Sequence, residues 1–158
     1  MNSIPKDEIV FDSTSYVDPG SRVFRWRGEI YRAIGPQRAQ FYRDLLQQDW
    51  FLQLQEEGAL VKTEVTDFIL GDSPLVLKHH KIPFLTYCIG WPGVMLKEAA
   101  LLTLDINIKL AHRGLTLQDA YPWNIYFEGT QPVLVDFTSI VPVSPDYLWA
   151  AYDQFCRF

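Results

Sequence analysis

From Gly114 to Ile140 the chain reads G-L-T-L-Q-D-A-Y-P-W-N-I-Y-F-E-G-T-Q-P-V-L-V-D-F-T-S-I, and this stretch limits the possible folds more than any other. Two short apolar runs, 125–127 and 132–135, flank a Glu128-Gly129-Thr130 turn, a pattern that predicts a β-hairpin. A hairpin of this length folds its far end back beside its start. Asp136, at the tip of the second strand, is therefore expected next to Asn124, which leads into the first. Asp119 lies five residues before Asn124 in a proline-containing loop. Two carboxylates and a carboxamide are thus expected to converge, and their oxygens suit a hard cation such as magnesium. Asp and Asn are also ordinary residues of turns and strand ends, so the spacing singles them out rather than their identity.

The set D-A-Y-P-W-N (119–124), hairpin, D-F-T (136–138) resembles the catalytic loop and metal-binding turn of the protein-kinase-like superfamily, which includes aminoglycoside and other small-molecule phosphotransferases. Those enzymes carry D-x-x-x-x-N, a hairpin and then D-F-G. The resemblance implies an α+β, protein-kinase-like fold: a small β-rich lobe with a helix, then a helical lobe carrying the catalytic-loop hairpin. It implies Mg2+ and ATP as cofactors, with Asp119 accepting the proton of an attacking hydroxyl and Asn124 and Asp136 holding the metal. Phosphoryl transfer is mostly positioning and charge neutralisation, which is what these residue types supply. His112-Arg113-Gly114 imitates the start of a kinase H-R-D. In that register 17 residues separate position 119 from Asp136, whereas Asn124 leaves 12, and the later register is adopted.

Read in order, residues 1–20 are polar, carry Pro5, Pro19 and Gly20, and suggest an irregular arm. Residues 21–26 and 29–34 are β-rich runs around Arg27-Gly28, a plausible hairpin. Arg22, Arg25, Arg27 and Arg32 fall here, either as a cationic face for phosphates or as a solvated strand face. Apolar residues at helical spacing over 37–57 predict a helix with a break near Asp49, opened by Pro36 and closed by Gly58. Residues 60–70 read as strand or loop, and 75–82 and 84–89 as two strands joined at Pro83. By the resemblance, 21–90 is small-lobe-like and 91–158 large-lobe-like. The backbone at Tyr87 and Cys88 is then the hinge that meets an adenine, and Arg32 stands where the family has a lysine that pairs with a helix glutamate. Arginine and lysine are not interchangeable there. The segment before the hairpin also lacks G-x-G-x-x-G.

Residues 94–113 predict a helix ending at Gly114, with Leu101, Leu104, Ile108 and Ala111 on one side and Leu102 and Ile106 on another, buried over much of its circumference. A loop is expected over 139–145, then a helix capped by Asp146 and running to the end. Six large apolar or aromatic side chains in the last 12 residues suggest an oligomer or partner contact, or a domain that continues further. Only 20 residues follow Thr138, fewer than the helical lobe of a kinase-like enzyme needs.

Composition narrows the classes. At 48% hydrophobic and 15% aromatic the chain is not disordered, and a net charge of −5 argues against nucleic-acid binding. Cys88 and Cys156 have no zinc spacing and no framework of disulfides, which points to the cytoplasm. His79 and His80 alternate faces of a strand and make a poor metal pair. The N-terminus has no signal-peptide pattern, and the longest apolar stretch, 99–111, is too polar to span a bilayer.

A narrower resemblance is carried by L-V-L-K-H-H-K-I-P-F-L-T-Y, W-P, M-L-K-E-A-A-L-L-T-L-D, G-L-T-L-Q-D-A-Y-P-W-N-I and P-V-L-V-D-F-T-S-I. These are similar to the kinase-like region preceding the methyltransferase domain in bacterial class I S-adenosylmethionine-dependent methyltransferase proteins. No glycine-rich methyltransferase motif occurs here, so that activity is not implied for these residues. Two functions follow as expectations. One is a domain that binds Mg-ATP and transfers phosphate to a small hydroxylated acceptor. The other is a degenerate kinase-like module, associated with a methyltransferase domain or a protein partner through its C-terminal helix.

Overall fold

The N-terminal arm does not stay irregular. It contributes β1 (Asn2–Ser3) and β2 (Val10–Phe11), because Ile4 and Ile9 carry apolar surface that packs with Phe24, Trp26, Tyr31 and Val76. Trp26 Nε1 donates to Glu8 at 2.8 Å and ties the same segment down. The computed structural model describes residues 2–13, 15, 18, 20–144, 148–149 and 151–157. They form two units, Met1–Glu56 with Lys62–Lys81 and Glu57–Val61 with Ile82–Phe158, whereas the sequence reading drew the border at residue 90.

In the first unit, β3 (Ser21–Trp26) and β4 (Glu29–Ile34) form the expected hairpin. Arg27 and Gly28 both take positive φ, 52° and 81°, so the two-residue loop matches the right-handed twist of its strands. Helix α1 (Pro36–Leu45) begins on a proline, and after three residues α2 (Asp49–Glu56) continues the predicted segment as a second helix. Gly58, at φ 76°, follows its end. Then come β5 (Thr63–Val65), β6 (Phe68–Ile69) and β7 (Leu75–His79). The main sheet is antiparallel, in the order β2-β3-β4-β7-β5, while β1 pairs parallel with β6. One sheet face buries Phe24, Trp26, Tyr31, Ala33 and Val76. By alternation the other carries Arg32, Ile34, Leu75, Leu77 and His79.

The second unit departs from the sequence reading at three places. Residues 84–89 form no strand; Phe84 is 84% and Ile89 70% exposed, Pro83 offers no amide donor, and a 3-10 turn occupies Cys88–Gly90. In α3 (Gly93–Ala111) the buried side is Ala99, Thr103, Ile106, Asn107 and Leu110, so Leu101, Leu104 and Ile108 face out. Asn107 is on the buried side because its side-chain oxygen accepts the Leu117 amide. The stretch expected to be a loop after Thr138 contains β11 (Ile140–Pro142), which pairs antiparallel with β8 (Leu115–Leu117).

The predicted hairpin forms as β9 (Ile125–Glu128) and β10 (Gln131–Leu134), turning at Gly129 with φ 63°. Alongside β10, the Val61 amide donates to Leu134 and the Leu134 amide to Ala59, both at 2.9 Å. Val61, Ile82 and Val133 bury together with Tyr126 and Val135 against them. The C-terminal helix is α4 (Ala151–Cys156); Asp146, Tyr147 and Phe158 lie outside the described residues. The architecture is α+β with mostly antiparallel sheet. No helix among the described residues is long and apolar enough to cross a membrane.

Candidate functional site

Leu134 lies opposite Ile125 in the hairpin, and the next pair of residues continues the ladder by a backbone bond: the Val135 amide donates to the Asn124 carbonyl at 2.9 Å. Asp136 follows directly. Asn124 and Asp136 are therefore neighbours across the open end of the hairpin, as the apolar runs predicted. A 3-10 turn at Pro122–Asn124 delivers the first, its Asn124 amide donating to the Tyr121 carbonyl at 2.9 Å.

Asp136 is held from both its backbone and its side chain. Thr138 Oγ1 donates to Asp136 Oδ1 at 2.8 Å, while Ser139 donates from its amide and its hydroxyl to the Asp136 carbonyl at 3.2 and 2.7 Å. Phe137 between them is 1% exposed and anchors the turn in the core. The carboxylate is half-buried and oriented toward the turn that its own chain makes.

Asp119 reaches the same neighbourhood by a second route. β8 lies against β11, and just beyond the ladder the Gln118 amide donates to the Ser139 carbonyl at 2.8 Å. Asp119 thus follows a residue bonded to the turn that holds Asp136. Its Oδ1 accepts a hydrogen bond from Gln154 Nε2 at 3.0 Å, and Gln154 Oε1 accepts the Ala120 amide at 2.8 Å. Trp149 Nε1 donates to the Leu117 carbonyl at 3.0 Å. Tyr121, Trp123, Asp153, Gln154 and Arg157 line a depression of about 210 Å3 beside these residues, with Asp153 and Arg157 ion-paired at 2.8 Å.

The other candidate residues have different surroundings. Arg32 belongs to the first unit, is buried, and donates from Nη1 to Ser21 Oγ at 3.1 Å. Arg22 stacks over Phe11 at 4.5 Å and Arg27 over Trp26 at 4.4 Å, while Arg25 is exposed. The arginines are thus spread over both sheet faces and the turn, and do not make one cationic surface. Tyr87 is 55% exposed with its ring edge-on to Tyr126, and burial pushes the Cys88 thiol up. Their carbonyls accept the Gly90 and Trp91 amides within the local turn. His79 is buried against Thr63 while His80 is exposed. Among the described residues no group of three or more His, Cys, Asp or Glu is placed to share a metal ion.

Sequence reasoning missed Gln154, Trp149 and Thr138. Gln154 lies 35 residues from Asp119, and no local spacing could have paired them. Thr138 did carry a signal, since a hydroxyl two residues after an Asp commonly bonds back to it.

No protein-family model matches the chain. Over 148 residues, 90% of the chain, it is 31% identical to nodulation protein NoeA of Rhizobium meliloti (strain 1021). The chain spans about a third (31%) of the length of that curated relative.

Proposed function

We propose that this chain is a kinase-like domain that binds a magnesium nucleotide through Asn124 and Asp136, with Asp119 placed to take the proton of an attacking hydroxyl. What supports the reading above all is the Val135 to Asn124 backbone bond at 2.9 Å, which brings the backbone of Asn124 next to the residue that precedes Asp136, in keeping with the D-x-x-x-x-N and D-F-G pattern. The donor set fits the ion. Carboxylate and carboxamide oxygens are hard ligands, and magnesium keeps waters and phosphate oxygens for its remaining positions, so two protein ligands suffice. Bound there, the ion would neutralise charge on the phosphates. Thr138 orients the Asp136 carboxylate. Asp119 accepts the acceptor's proton as the acceptor oxygen bonds to the terminal phosphorus and the bond to the nucleoside diphosphate breaks.

A second reading, a non-catalytic module attached to a methyltransferase, is favoured by two observations. The β3–β4 loop is a two-residue turn with no glycine-rich loop to cover phosphates, and Arg32 is committed to Ser21. That reading requires further chain, and the relative is about three times as long as the matched region. Calorimetry of ATP binding with magnesium, then with a chelator, tests the shared part of both. Magnesium-dependent affinity is expected; its absence removes the metal site. ATP turnover that disappears in Asp119→Ala then selects the enzyme over the module.

A further inference from the structure

The strongest unassigned feature is the carboxamide of Gln154, which bridges the Asp119 carboxylate and the next peptide amide. We propose that Gln154 is a positioning residue for Asp119, presented by α4 so that the carboxylate is held in one orientation for proton transfer. This rests on the reading of Asp119 given above.

The geometry gives three contacts on four consecutive residues. Trp149 holds the Leu117 carbonyl, Gln154 Oε1 takes the Ala120 amide, and Gln154 Nε2 holds Asp119 Oδ1. Ala120 and Leu117 are buried at 3% and 0% exposure, so the loop is anchored on both sides of Asp119. An aspartate has two side-chain torsions, and a donor held on one of its oxygens removes much of that freedom. The carboxamide suits this role because it offers donor and acceptor on a single planar group. A glutamate would keep the acceptor for Ala120 but set a second carboxylate against Asp119. Asp153 on α4 pairs with Arg157 just past the helix end, and Gln154 is the α4 side chain that bonds Asp119.

The test is steady-state ATP turnover by the whole chain, with Mg-ATP as the probe, in the wild type, Gln154→Ala and Gln154→Glu. Positioning loss lowers kcat by roughly 10- to 100-fold while KM for Mg-ATP stays unchanged, because Gln154 is not a metal ligand. Gln154→Glu should lose at least as much as Gln154→Ala, and it keeps the side-chain shape should the alanine variant fold poorly. Adding Gln154→Ala to Asp119→Ala should cost nothing further, since the two act as a unit. A kcat within twofold of wild type in both single variants, or losses that multiply in the double variant, overturns the inference and leaves the nucleotide reading standing. A wild type that binds Mg-ATP without turnover overturns it too; a wild type that binds no Mg-ATP ends both.

Discussion

The Asn107 side chain accepts the Leu117 amide at 3.0 Å, so the helix α3 carries a polar residue inward to serve the backbone of β8. The same Oδ1 accepts the Thr116 hydroxyl at 3.0 Å, and Asn107 is only 7% exposed. Two buried donors, two and three residues before Asp119, share one oxygen.

Replacing that oxygen by a hydrocarbon leaves the Leu117 amide orphaned. Asn107→Leu should destabilise the chain by about 1–3 kcal/mol, the desolvation cost of an unsatisfied buried donor. Urea unfolding measures it, and an unchanged midpoint would show that water replaces the lost acceptor.

His79 makes stability depend on pH. Burial, with the Arg32 charge second, pushes its pKa down to about 3, from about 6.5 when unfolded. The folded state therefore resists protonation that the unfolded state accepts. The stability is fully present above about pH 6.5 and is lost as pH falls toward 3, at up to about 1.4 kcal/mol per pH unit. Between pH 6.5 and 5 most carboxylates do not titrate, so unfolding in that window should show the slope in the wild type and lose it in His79→Gln. Retention of the slope in the variant would assign it to another group.

Thr138 orients a proposed metal ligand without touching the metal. Thr138→Val keeps the volume and removes the 2.8 Å bond to Asp136 Oδ1. Mg-ATP affinity should fall roughly ten- to a hundredfold, the worth of one hydrogen bond to a charged group, while ATP affinity without magnesium stays level. Calorimetry in both conditions separates the two; an equal loss in each would mean that the turn itself has shifted.

The local patterns were legible in the sequence and the long-range partners were not. The strands at 21–26 and 29–34 matched residue for residue, because alternation and the Arg27-Gly28 turn are local signals. The hairpin between Asn124 and Asp136 was readable for the same reason. The buried side of α3 was misjudged because Leu101, Leu104 and Ile108 fit an apolar stripe as well as the true one does. What decides between the stripes is the backbone of β8, which a helix pattern cannot see. The run over 84–89 has strand composition but exposes its apolar side chains, and composition does not supply a neighbouring edge to pair with. Gln154 meets Asp119 through a chain reversal that no spacing rule encodes.

The central claim is that Asn124 and Asp136 hold the same ion. A double-mutant cycle on magnesium-dependent ATP affinity, with Asn124→Ala, Asp136→Asn and both, measures it directly. Each single change should weaken binding, and the pair should show a coupling of about 1 kcal/mol or more, as groups sharing one partner do. Losses that simply add, or a wild type whose ATP affinity ignores magnesium, would contradict the account.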